Sequence, residues 1–144
     1  MTGLHTALQT FWSQFAYGTA IPAYEQGNVP ETVPDPVTGN PIPTPYPYIT
    51  YEVAQGAYFG ATVLTAFVWV QKTSGVDAQA VRAAILDLIA AAIPDEGITL
   101  TLTGGHGSIA LYRNDAGFMS YYDDPTDTSV LGGRVSVEAH YYTT

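Results

Sequence analysis

Proline restricts the first third of this chain more than any other residue type. Eight of the ten prolines lie between Ile21 and Pro47, and four of them occupy alternate positions of PIPTPYP, residues 41–47. Proline fixes φ, has no backbone N–H and biases the preceding residue toward an extended conformation. No helix can form here, and we expect no regular structure over most of the segment. Residues 22–47 are therefore predicted to be an extended arm or loop, with a turn within residues 34–41.

Two stretches outside the arm have the hydrophobic period of a helix. In the first, apolar side chains recur every three or four positions and predict an amphipathic helix over residues 3–16. The second stretch, residues 76–94, has Asp77 as a candidate N-cap and Pro94 beyond its end.

Alternating or continuous apolar patterns predict the strands, which fall at residues 47–53, 61–71, 98–103, 109–113 and 134–142. Both faces of residues 61–71 are apolar, so this strand should be central. The order of elements predicts one α+β domain spanning residues 1–144. We expect a mainly antiparallel sheet of four to five strands with two helices on one face.

Composition excludes several classes of protein. Four Lys and Arg residues face thirteen acidic residues, giving a net charge of −9, so too few cations are present to neutralise many phosphates of a nucleic acid. The same charge suits a surface past which DNA slides without binding. Cysteine is absent, which excludes disulfides and thiolate chemistry. The longest apolar stretch contains Arg82 and Asp87 and is too short to span a bilayer, so we expect a soluble protein with no membrane contact.

Catalytic and metal-binding patterns are weak. The segment TGGHGSIAL, residues 103–111, lacks the lysine of a phosphate-binding loop and is best interpreted as a turn between strands. A hydrolase built around His106 and Ser108 is the least favoured hypothesis. His5, His106 and His140 are far apart in sequence, and no partner for Glu52 as a general acid is evident. We therefore predict no enzymatic activity, no metal and no cofactor.

Tyrosine and the second helix supply the candidate partner contacts. Nine of the eleven tyrosines lie in or beside predicted strands, where half of them fit ordinary β propensity and the other half suggest a partner. The second helix is apolar over much of its circumference, which indicates either packing against the first helix as well as the sheet, or a subunit interface. The candidate contact residues are Tyr46, Tyr48, Tyr51, Leu86 and Ile89.

The order of these features resembles a known family. An N-terminal amphipathic helix, a long proline-rich connection, PYITYEV (residues 47–53), FVWVQ (residues 67–71), a helix and a closing GRVSVEAHYY (residues 133–142) are similar to tail terminator proteins of long-tailed bacteriophages, also called minor capsid or tail completion proteins. The resemblance covers nearly the whole chain and rests on structural patterns without a catalytic signature.

The resemblance implies a virion structural protein, assembled in the bacterial cytoplasm and located at the head-proximal end of the tail. It implies a homo-oligomeric ring, expected to be a hexamer, that caps the tail tube, stops its polymerisation and joins the head-completion or connector protein. On this hypothesis DNA passes through the ring without specific binding, and Asp123, Asp124 and Asp127 are candidates to line its path. The alternative is a sheet-based module that binds carbohydrate or protein through exposed tyrosines.

Overall fold

The computed structural model describes residues 2–54, 61–102, 107–123, 126 and 128–142. These residues form two helices and eleven strands: α1 (Thr2–Trp12), β1 (Ala16–Tyr17), β2 (Thr19–Ala20), β3 (Ala23–Glu25), β4 (Thr32–Pro34), β5 (Pro41–Pro43), β6 (Tyr48–Tyr51), β7 (Ala61–Gln71), α2 (Ala78–Ala92), β8 (Ile98–Thr101), β9 (Ser108–Arg113), β10 (Met119–Asp123) and β11 (Val130–Tyr142). Neither helix is long and apolar enough to cross a membrane in the part of the chain described.

Seven strands form the main sheet, in the order β3-β6-β7-β11-β9-β8, with β10 also paired to β11. The long β11 pairs with β7 along one edge, and β10 and β9 follow one another along its other edge. The pair β3–β6 is parallel, and the other pairs are antiparallel.

The α+β class is confirmed, but the sheet is larger than predicted and mixed. The prediction missed β3, a three-residue strand directly after Pro22, and β10, whose side chains are mostly exposed and show no apolar alternation.

Both helices lie on the same face of the sheet. Tyr51, on which Trp12 of α1 stacks, is opposite Ala66 of β7, and directly opposed residues of an antiparallel pair share a face. On that face α2 brings Leu86 close to Gly133 of β11. The core between helices and sheet is one continuous cluster whose fully buried members include Leu8, Ile49, Val68, Ile85, Ile89, Ile109, Leu111, Val135 and Val137.

Polar groups fix both ends of α2. The Asp77 carboxylate accepts a hydrogen bond from the Ala80 backbone N–H at 3.2 Å, which confirms the predicted N-cap. At the other end Arg113 of β9 donates to the carbonyl oxygens of Ile93 at 2.6 Å and Ala90 at 2.9 Å. Because the last carbonyls of a helix have no partner within it, a guanidinium placed there ties α2 to the sheet.

The proline-rich arm contains regular structure that the sequence analysis did not predict. Its first residues, Ala23–Glu25, are a strand of the main sheet, and β4 and β5 pair as an antiparallel hairpin. The predicted turn is confirmed between these strands, where the Asp35 carboxylate accepts hydrogen bonds from the backbone N–H groups of Val37 at 2.8 Å and Thr38 at 3.3 Å. Short hairpin strands tolerate proline because neither forms part of a wider sheet.

Candidate partner-binding face of the sheet

The face of the main sheet opposite α1 and α2 is covered by neither helix, and we call it the open face. Side chains alternate along each strand, so residues paired in register with Phe67 and Trp69 of β7 point to the same side. Six aromatic residues form a row on the open face, namely Tyr24, Tyr46, Tyr48, Phe67, Trp69 and Tyr122. All except Tyr122 are half-buried, and Tyr122 is 41% exposed.

Ring contacts make the row continuous across neighbouring strands. Tyr48 has its ring centroid 5.0 Å from that of Tyr46 and 5.9 Å from that of Tyr24, and it is paired in register with Trp69. On β7 the rings of Phe67 and Trp69 stack at 5.3 Å. Tyr122 completes the row with edge contacts of 5.7 Å to Phe67 and 5.8 Å to Trp69. These distances lie within the range of favourable aromatic pairs.

A glycine of β11 makes room for the end of this row. A Cβ atom on Gly132 would lie 2.7 Å from the backbone oxygen of Tyr122 and 3.2 Å from Cζ3 of Trp69. Glycine within a strand marks a place where another group comes close to the backbone. The pair Gly132–Gly133 was therefore a sequence signal for this contact, which the sequence analysis did not use.

Two polar interactions hold the row in place. The Trp69 indole Nε1 donates a hydrogen bond to the Thr50 hydroxyl at 2.9 Å. Burial, together with a hydrogen bond to Tyr46, raises the pKa of the Tyr48 phenol to about 12.

Charged groups lie beside the aromatic row. Arg134 is exposed, lies opposite Phe67 and Ser120 in register, and has no ion-pair partner among the described residues. Farther along β11, His140 and Glu138 are 2.9 Å apart. The open face thus combines aromatic contact area with one cation available for an acidic group.

Only two of the five predicted contact residues lie on the open face, namely Tyr46 and Tyr48. Tyr51 is 3% exposed because it lies beneath α1, where its hydroxyl donates a hydrogen bond to the Gln9 side chain. Leu86 and Ile89 are 5% and 0% exposed. The structure places these three side chains in the core of the subunit. α2 packs mainly on β7 and β11 of the sheet, and α1 is not among its main contacts.

Asp123 is engaged in the fold. Its carboxylate is 3.2 Å from the guanidinium of Arg82, which is itself 5% exposed and lies 3.9 Å over the Tyr121 ring. An acid held by a buried arginine contributes less to a repulsive surface than a free acid would. Asp124 and Asp127 lie outside the described residues.

Among the described residues, the candidate catalytic side chains are not brought together. His5 contacts Glu25 at a cleft of about 560 Å³ between α1 and β3, whereas Ser108 pairs with Thr101 and Tyr142 in the sheet. The Glu52 carboxylate accepts the Thr65 backbone N–H at 2.9 Å. His106 lies outside the described residues, and within those described no three His, Asp or Glu side chains could hold a metal ion.

Comparison with protein-family models, with curated proteins and with solved structures found no match to this chain.

Proposed function

We propose that this chain is a structural protein of a long-tailed bacteriophage, a tail terminator that works by assembly. Copies of the chain close into a hexameric ring at the head-proximal end of the tail. One surface of the ring stops the tail tube from growing, and the opposite surface receives the head-completion or connector protein. The chain carries out no chemistry and needs no cofactor in this role.

The observation that carries the proposal is the open face, a row of six aromatic side chains with no helix over it. Tyr and Trp are enriched at protein interfaces, since they supply contact area at low entropic cost. Further support comes from the resemblance of PYITYEV and GRVSVEAHYY to the terminator family, and from the separate positions of His5, Glu52 and Ser108 among the described residues.

DNA passage belongs to the same proposal. The net charge of −9 would keep a duplex away from the wall of a ring through which it travels. Asp123 is the weakest of the three proposed path residues, since Arg82 already holds its carboxylate. Replacing Asp124 and Asp127 with lysine should slow DNA ejection without changing tail length, and unaltered ejection would remove these two residues from the path.

The second candidate function, a module that binds carbohydrate or protein, is favoured by the same aromatic row. Sugar rings stack on exposed aromatic side chains much as protein groups do. The two functions differ in particle size, because a binding module needs no ring.

Light scattering coupled to size exclusion separates them, and the chain offers a matched pair of variants. Tyr122 on the open face is 41% exposed, and Leu88 on the outer side of α2 is 40% exposed. We expect Tyr122→Lys to dissociate the ring and Leu88→Lys to leave it intact. A wild-type protein that stays monomeric on its own and in the presence of tail tubes, yet is retained on a polysaccharide column, would favour the second function.

A further inference from the structure

We propose that the open face of each subunit is covered by the β4–β5 hairpin of a neighbouring copy. This inference rests on the proposed ring and names the contact between its subunits. Both surfaces belong to the same chain, and in the described part of the subunit no helix covers the open face and no other helix or strand packs closely on the hairpin.

The hairpin projects from the domain. Its strands contact each other far more than any other helix or strand, and their four terminal residues are exposed, namely Thr32, Pro34, Pro41 and Pro43. At the tip Val37 is 91% exposed. The hairpin is nevertheless ordered by backbone hydrogen bonds, such as that from Asp35 N–H to the Asn40 oxygen at 2.8 Å. An ordered segment loses little conformational entropy when it binds.

The chemistry of the hairpin matches that of the open face. Proline-rich segments dock on surfaces lined by aromatic side chains, because the restricted proline ring packs flat against an aromatic ring.

The charge of the hairpin is also complementary to that of the open face. Residues 26–47 contain two acids, Glu31 and Asp35, and no lysine or arginine. Arg134, the exposed cation of the open face, has no acidic partner within the described part of the subunit.

The dimensions agree. β4 and β5 are each three residues long, so the paired part of the hairpin extends about 10 Å at 3.3 Å per residue. On the open face β6, β7 and β11 are neighbours, and the two spacings between them total about 10 Å. A docked hairpin can therefore reach from Tyr48 of β6 to the side chain of Arg134 on β11.

The contact also has the symmetry of a ring. Hairpin and open face are different surfaces of one chain, so each copy gives its hairpin to the next and receives one from the copy before. Such a heterologous contact closes into a ring when the rotation between copies is a simple fraction of a turn.

Site-specific photo-cross-linking tests the inference. The chain has no cysteine, so Val37→Cys provides a single attachment point for a benzophenone maleimide at the hairpin tip. Gln79→Cys, which places the same reagent on the exposed side of α2, is the matched control. Labelled protein is mixed with an isotopically heavy, unlabelled copy and irradiated, and the cross-linked peptides are identified by mass spectrometry. If the protein is monomeric in solution, irradiation is carried out on tail tubes.

We expect light-to-heavy cross-links from position 37 to peptides of β7, β10 and β11, and none to these peptides from position 79. Rings that form while position 37 cross-links only elsewhere, or only within its own chain, would overturn this inference and leave the proposed function standing. Absence of both oligomers and cross-links, on tubes as well as in solution, would overturn the inference together with the proposed function.

Discussion

The replacement Gly132→Ala tests how the aromatic row is built. The added methyl group would lie 2.7 Å from the backbone oxygen of Tyr122 and 3.2 Å from both Trp69 Cζ3 and Tyr122 Cδ1. An ordinary carbon contact is about 3.5 Å or longer. A backbone carbonyl within a paired strand cannot move aside cheaply, so β10 or Trp69 must shift.

We expect this overpacking to lower the free energy of unfolding by about 1–3 kcal/mol, part of it offset by the better conformational entropy of alanine. In a chain of this size, each kcal/mol lowers the melting temperature by about 3–4 °C. The comparison variant is Gly133→Ala, whose methyl group would meet the side chain of Leu86 at 2.9 Å on the opposite face. This variant should also lose stability, but without disturbing Trp69.

Tryptophan fluorescence and near-ultraviolet circular dichroism distinguish the two glycine variants. The chain has two tryptophans, so the measurement uses a Trp12→Phe background in which Trp69 is the only one left. Gly132→Ala should change the Trp69 spectrum in the native state, and Gly133→Ala should not. An unchanged spectrum and unchanged stability in Gly132→Ala would refute the close approach of Trp69 and Tyr122 over this glycine.

Three further predictions concern stability. Arg82→Met should cost about 1–3 kcal/mol in a urea titration, because the buried Gly132 carbonyl loses the guanidinium as its donor, and Arg82→Ala should cost more, since it also leaves a cavity. Burial, and secondarily the nearby charge of Glu25, raises the pKa of Tyr51 from 10.0 to about 12, so the neutral phenol is retained to higher pH in the folded state than in the unfolded state. Its contribution is complete below pH 10 and falls by about 2 kcal/mol as pH rises to 12, and Tyr51→Phe should reduce this loss in denaturation curves recorded across that range. Arg113→Met should cost about 1–3 kcal/mol in urea because two carbonyls at the end of α2 lose their donor, while Lys72→Met, a change at an exposed site, should cost nothing measurable.

Local sequence patterns predicted the helices and strands well where one face or both faces of the element are buried. The strand at residues 61–71 was predicted with the bounds it has in the structure, because the β-branched and aromatic residues that dominate this stretch favour a strand over a buried helix. The N-cap of α2 at Asp77 followed from elementary capping chemistry. The strand and the N-cap depend only on residues that are close together in the chain, so the sequence alone reveals them.

The open face was not predictable in the same way. Tyr24, Trp69 and Tyr122 are far apart along the chain and meet only because β3 joins β6 in parallel and β10 joins the first half of β11. Nothing in the local pattern of a three-residue strand reveals its partner. The same reasoning explains Tyr51, which shares a strand with Tyr48 but points to the other face and is buried under α1.

Electron microscopy of tail tubes tests the proposed function most directly. Tubes assembled from a tail tube protein, the partner that the proposed function requires, are incubated with the purified protein, stained and imaged, and tube length is measured before and after adding more tube subunits. We predict a ring-shaped cap at one end of each tube, and no further growth from that end. Tubes that bind no cap and lengthen at both ends in the presence of the protein would contradict the proposal that it terminates the tail.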